Sequence, residues 1–319
     1  MRRAVLLVSL LVVAACARER TNPMLASGEH RLAVHGGSIW YKVTNLSNGH
    51  RAAVVLLHGG PGFNSFYLKP LEDLADDRPV IRYDQLGAGK SDTTSDTTMF
   101  NIAHFVAELD SLRAHLGVER WHVYGHSWGT ILALEYYRAH PDRVLSLGFG
   151  SPVFDLPAFE TYVRGLLPTL SDSAQRAIRR GEATQTYDSP SYQNAFNEFI
   201  GLYVTRHPVP ADMESTFTTV NQGIYMYMQG PSEFTIVGTL KLYKVTDFLP
   251  SIGVPALLTV GEFDEVGPDL VRSHAALIPG ARFELIPGAG HLTSWDNREV
   301  NTRVVREFLR GADSSVATR

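Results

Sequence analysis

The sequence predicts an α/β fold: a doubly wound, mostly parallel sheet with a helical lid inserted into it. Three observations predict it. Apolar strand-like runs alternate with stretches of helical period from residue 52 to residue 148. The alternation lapses over residues 152–246, which are aromatic, helical in period and punctuated by Pro152, Pro157, Pro190, Pro208 and Pro210, and it resumes at residue 254. Between a strand-like run (120–124) and a helical one (130–137) stands Gly125-His126-Ser127-Trp128-Gly129. A strand turning sharply into a helix strains its central residue and needs small residues two positions away on each side.

The elements follow in order. Gly36-Gly37 between two short strands reads as an opening hairpin, and residues 52–57 form a continuous apolar run typical of a strand buried on both faces. An amphipathic stretch around 68–74 leads to a strand at 79–83. Phe105, Val106, Leu109, Leu112 and Leu116 then keep helical spacing until Gly117. Strands at 144–148, 254–260 and 282–286 and helices near 268–277 and 298–309 complete the sheet domain. It therefore comprises residues 30–151 and 247–311, with the lid at 152–246 and a frayed tail from 312.

The first residues read as an export signal. Arg2-Arg3 precedes an apolar run from 4 to 15, too short to span a bilayer, and Val13-Ala14-Ala15-Cys16 resembles the lipobox of bacterial lipoproteins. Residues 1–15 are thus expected to be a signal peptide. Cys16, the only cysteine, is the expected lipid attachment point, and residues 16–29 form a tether. An exported protein held on a bacterial membrane, on the periplasmic or cell-surface side, is the expected state. A net charge of −4 without dense Lys/Arg clusters gives no reason to expect nucleic-acid binding. Gly87-Ala88-Gly89 lacks the third glycine of a dinucleotide loop, and no His/Cys cluster has metal-ligand spacing, so neither cofactor nor metal is expected.

A serine hydroxyl needs a base, and the base a carboxylate to orient it. The elbow places Ser127 as nucleophile. The strand after the lid ends in Gly261-Glu262-Phe263-Asp264-Glu265, where Asp264 is preferred to Glu262 and Glu265 as the acid. The last strand leads to Gly288-Ala289-Gly290-His291, which supplies the base. His122, on a strand, reads as core, and His126 is too close in sequence to reach the Ser127 hydroxyl in the usual way. His58-Gly59-Gly60-Pro61-Gly62 follows an early buried strand, where glycines let backbone N–H groups approach an oxyanion. Gly60 and Trp128 are the expected donors.

Together these residues resemble the proline iminopeptidase family, serine aminopeptidases of the α/β-hydrolase fold. The matching runs are His58-Gly59-Gly60-Pro61-Gly62, Tyr83-Asp84-Gln85-Leu86-Gly87-Ala88-Gly89-Lys90-Ser91, the elbow, Gly230-Pro231-Ser232-Glu233-Phe234 and Val260-Gly261-Glu262-Phe263-Asp264-Glu265. The lid run is similar to that of the archaeal tricorn-interacting aminopeptidase. The resemblance implies that Glu233 and Glu265 bind the substrate's free α-ammonium and that Tyr225 lines the same pocket. It implies release of an N-terminal residue, proline or another small or apolar one, from short peptides or amides through an acyl-enzyme. Relatives with Cys at the position of Ala88 are thiol-sensitive in a way this chain is not expected to be. An esterase, amidase or lactonase on the same machinery is the alternative, and a catalytically dead binding module a third reading, against which the complete Ser127–Asp264–His291 set argues.

Overall fold

The computed structural model describes residues 25–46, 51–208 and 211–317. The predicted signal peptide, Cys16 and the start of the tether lie outside the described residues. No described helix is long and apolar enough to cross a membrane.

Among the described residues eight strands form one sheet: β1 (Gly28–Val34), β2 (Gly37–Thr44), β3 (Val54–Leu57), β4 (Val80–Asp84), β5 (Trp121–His126), β6 (Val144–Gly150), β7 (Ala256–Gly261) and β8 (Arg282–Ile286), in the order β1-β2-β4-β3-β5-β6-β7-β8. The predicted hairpin β1–β2 turns at Gly36, whose φ of 92° favours glycine, and β2 meets β4 antiparallel. All remaining pairs are parallel. Every residue of β3, β4, β5, β6 and β7 is buried, because helices cover both faces of the sheet. The strand order reverses between β3 and β5, so the loops leaving their C-terminal ends diverge and open a crevice there.

Helices α1 (Ile102–His115) and α2 (Trp128–Ala139) pack on each other and on the sheet. Gly117, at φ 62°, ends the α1 segment as its sequence implies. Between β6 and β7 the described residues form the α-helices α3 (Leu156–Leu166), α4 (Asp172–Thr184), α5 (Pro190–Phe199), α6 (Ala211–Thr218) and α7 (Gln222–Met228). A neck closes this insertion: Leu156 N–H donates to Tyr243 O, and Val245 N–H to Phe154 O. Helices α8 (Pro268–Leu277), α9 (Thr293–Asp296) and α10 (Arg298–Ala317) follow.

The structure corrects the reading of the C-terminus. Residues 312–317 are not a frayed tail but the last turns of α10, with Ala312 buried. Tertiary ion pairs, invisible to local periodicity, hold them. Asp313 accepts from the fully buried Arg78 (2.9 Å), from Arg51 (2.8 Å) and from His122 Nε2 (3.0 Å), while His122 Nδ1 lies 2.7 Å from Ser146 Oγ. Burial opposes ionisation of Asp313, but these three partners outweigh it and hold its carboxyl well below the usual range. His122 is core, as its strand position implies. This buried Ser–His–Asp chain lies at the N-terminal ends of β5 and β6, the edge opposite Ser127. Asp313→Ala is expected to cost about 2–3 kcal/mol, below the usual cost of breaking a buried pair because Arg78 keeps Asp77. Urea midpoints would measure it. A depressed carboxylate stabilises the fold above its unfolded pKa, so the wild-type advantage shrinks as pH falls below about 4.

Candidate active site

The G-x-S-x-G run forms the sharp turn its glycines imply. Ser127, between β5 and α2, sits at φ 55° and ψ −125°, a region L-residues rarely occupy. A Cβ on Gly125 would lie 2.1 Å from Gly129 O, and one on Gly129 would lie 2.2 Å from Leu57 O. Both clashes are with backbone, so neither site can give way. Gly125→Ala is expected to destabilise the protein by about 3 kcal/mol, the upper end of overpacking costs, measurable as a drop in the denaturation midpoint.

The loop after β3 lies against this turn. A Cβ on Gly59 would meet Ser127 Cβ at 2.9 Å. Gly60, at φ 113°, lines the cavity beside Ser127, while the Gly59 N–H donates to Tyr67 Oη at 2.5 Å. His58 and Gln85 brace the loop. His58 Nδ1 donates to Gly59 O (2.9 Å), leaving Nε2 to accept from the Gln85 N–H (3.0 Å). The Gln85 amide donates to His58 O (3.1 Å) and accepts from Trp128 Nε1 (2.9 Å). The H-G-G-P-G, D-Q and G-x-S-x-G motifs are thereby one hydrogen-bonded unit.

Asp264, after β7, and His291, after β8, meet as a buried pair: His291 Nδ1 donates to Asp264 Oδ1 at 2.9 Å. Asp264 also accepts from the Val266 N–H (3.0 Å) and from Ser151 Oγ (2.5 Å). Burial would raise the Asp264 pKa, but His291 and these donors prevail and lower it. Burial would lower that of His291, but Asp264 prevails and raises it. Ser127 and His291 line one cavity of about 410 Å³.

Glu233 and Tyr225 from the lid and Glu265 from the β7 loop line the same cavity. Tyr225 donates to Glu233 Oε1 in a short hydrogen bond. Glu265 is almost fully buried, its Oε1 lies 3.8 Å from His291 Nδ1, and its Oε2 has no hydrogen-bond partner among the described residues. Burial raises both glutamate pKa values. For Glu265 the charges of Glu233 and Asp264 add to it, pushing the group well above the usual carboxyl range. A buried carboxyl oxygen without a partner, beside a second carboxyl, has hydrogen-bond capacity that another group could fill.

The model of the alpha/beta hydrolase fold family matches residues 52–298. The proline iminopeptidase of Heyndrickxia coagulans is 37% identical over 278 residues, covering 86% of this chain and 96% of the relative. This chain belongs to the proline iminopeptidase family. Among solved structures, a Mycobacterium smegmatis proline iminopeptidase superposes with a TM-score of 0.84 at 31% identity, covering 91% of this chain and all of that one. The crystal structure of VinJ superposes at 0.86 with 29% identity, over 90% and 99% of the two chains.

Relative to this family's motifs, two features of the site were not legible in the sequence. Ser151 follows β6 at φ 49° and reaches Asp264 from a strand end that carries no motif. His126, set aside for its closeness to Ser127, turns beneath the site instead, with Nε2 2.9 Å from the His291 carbonyl.

Proposed function

We propose that this chain is a serine aminopeptidase that releases one N-terminal residue from a short peptide or amino-acyl amide bearing a free ammonium. The observation that carries the reading is the presence of Glu233 and Glu265 in the cavity that holds Ser127. An ammonium entering this buried site needs anionic acceptors, and an internal peptide bond offers none to fill them. With the amine held there, only the first peptide bond lies within reach of Ser127. The name of the relatives supports proline as one accepted N-terminal residue.

In this reading Ser127 Oγ attacks the carbonyl carbon as His291 Nε2 takes its proton, and Asp264 stabilises the imidazolium. The oxyanion faces the N–H groups of Gly60 and Trp128, the latter at the N-terminus of α2. Collapse breaks the C–N bond, and His291 returns the proton to the departing amine. Water, deprotonated by His291, then hydrolyses the Ser127 ester and restores the hydroxyl. The test compares the fluorogenic amides of alanine, proline and phenylalanine with a free or an N-acetylated amine. Cleavage restricted to the free-amine forms is expected, and equal cleavage of both would move the assignment to a general amidase or esterase.

Cys16 and the apolar run before it support export and lipid attachment to a membrane. Metabolic labelling with an alkynyl fatty acid is expected to mark the wild type and to leave Cys16→Ser unlabelled.

A further inference from the structure

His126 is buried at the wall of the cavity, and the catalytic chemistry above does not use it. It contacts both halves of the site. Its ring lies edge-on to that of His291 with centroids 4.7 Å apart, and edge-on to Tyr67 at 5.2 Å. Its Nε2 is 2.9 Å from the His291 carbonyl, which can only accept, so that nitrogen carries a proton. Its Nδ1 is 3.0 Å from Tyr67 Oη, and that oxygen already accepts the Gly59 N–H. Burial, with the His291 imidazole beside it, presses His126 down to about 3. A neutral ring with its proton on Nε2 has a bare Nδ1, so the Tyr67 hydroxyl must donate to it. Every polarity in the chain is then set: Gly59 N–H to Tyr67 Oη, Tyr67 O–H to His126 Nδ1, His126 Nε2–H to the His291 carbonyl.

We propose that His126 and Tyr67 are positioning residues: a hydrogen-bonded relay, fixed in one tautomer, that sets the spacing between the oxyanion loop and the His291 loop. The proposal rests on the reading of His291 as general base. The two loops follow different strands, β3 and β8, which are not neighbours in the sheet. The relay joins them through three hydrogen bonds. Tyr67 is anchored in turn, since the Ser294 hydroxyl and the Trp295 indole N–H, just beyond His291, both donate to its backbone oxygen. The loop that receives the oxyanion and the loop that carries the base therefore move together. A misplacement of about 1 Å between such groups can cost on the order of a hundredfold in rate.

The groups that face His126 are Tyr67, His291 and, through space, Asp264. Nitrogen-15 NMR of histidine-labelled protein is expected to show His126 with its proton on Nε2 and no titration between pH 5 and 9. Tyr67→Phe, which keeps the ring but leaves the Gly59 N–H and His126 Nδ1 unpaired, is expected to lower the melting temperature by a few degrees. Assayed well below that transition, its kcat is expected to fall about 10- to 100-fold with KM within threefold. His126→Gln, whose amide N–H still reaches the His291 carbonyl, is expected to recover at least fivefold of the kcat lost in His126→Ala. Wild-type kcat in Tyr67→Phe, a proton on Nδ1 of His126, or equal loss in the Gln and Ala variants would overturn the relay. If Ser127→Ala retained full turnover, the serine mechanism itself would fall, an outcome distinct from all three.

Discussion

Replacing Ser127 with alanine is expected to lower kcat on an alanyl or prolyl amide by roughly ten-thousand- to a million-fold. Catalysis by a serine, a histidine and a carboxylate is non-additive, so loss of the nucleophile alone removes nearly everything the three supply together. What remains comes from binding and from the oxyanion donors. KM should change little, because alanine leaves the cavity walls and the glutamate pair in place. Ser127 is also unusually costly to hold, with φ at 55° where its Cβ is crowded. Alanine keeps that Cβ and the strain, so the variant should melt close to the wild type. Single-turnover kinetics and labelling with a fluorophosphonate make the check: the wild type forms one covalent adduct at Ser127 and the variant none. Retention of even a hundredth of the wild-type rate would point to another nucleophile.

The second large effect concerns the two glutamates. Converting both Glu233 and Glu265 to glutamine is expected to cost about 2–4 kcal/mol toward free-amine substrates, roughly 30- to 1,000-fold in kcat/KM. N-acetylated substrates should gain relative to free ones. The pH dependence gives the sharper signature. Burial raises both carboxyls, Glu265 furthest because Glu233 and Asp264 lie beside it. The ionised forms bind the ammonium, so KM should fall as pH rises through these elevated values. It should rise again once the substrate's α-amine deprotonates near pH 8. The pKa of His291 is raised as well, and the base works only when neutral, so kcat too should climb with pH above about 6.5. In the double glutamine variant the fall in KM should disappear while the rise in kcat remains. A KM that still falls with rising pH below the substrate amine's own titration in that variant would exclude the pair as the amine receptor.

Much of the site is local in character and so is written in the chain. The tight turn at Ser127 needs glycines at 125 and 129 because any Cβ there strikes backbone, a constraint that leaves a motif. The same holds at Gly60, where φ is 113°. Strands buried on both faces declare themselves as unbroken apolar runs, as at 54–57, since no residue of such a strand meets water. The acid and the base are legible for a topological reason: in a parallel sheet they must follow strands at their C-terminal ends, where Asp264 and His291 stand. Local pattern ends there. Ser151 and His126 act through partners 113 and 165 residues distant in the chain, a separation that no local pattern records. The last turns of α10 look polar and loose until Arg78, Arg51 and His122 are seen to converge on Asp313.

The sequence by itself determined the elements, their order and the residue types of the site, because dihedral preference, hydrophobic period and turn sterics act over a few residues. The tertiary structure alone decided which polar groups share a desolvated space. Three carboxyls, two imidazoles and two tyrosines meet there, and burial sets their charges. Hydrogen-bond direction and pKa depend on that shared space, which comes into being only when the sheet and the helices above it close together.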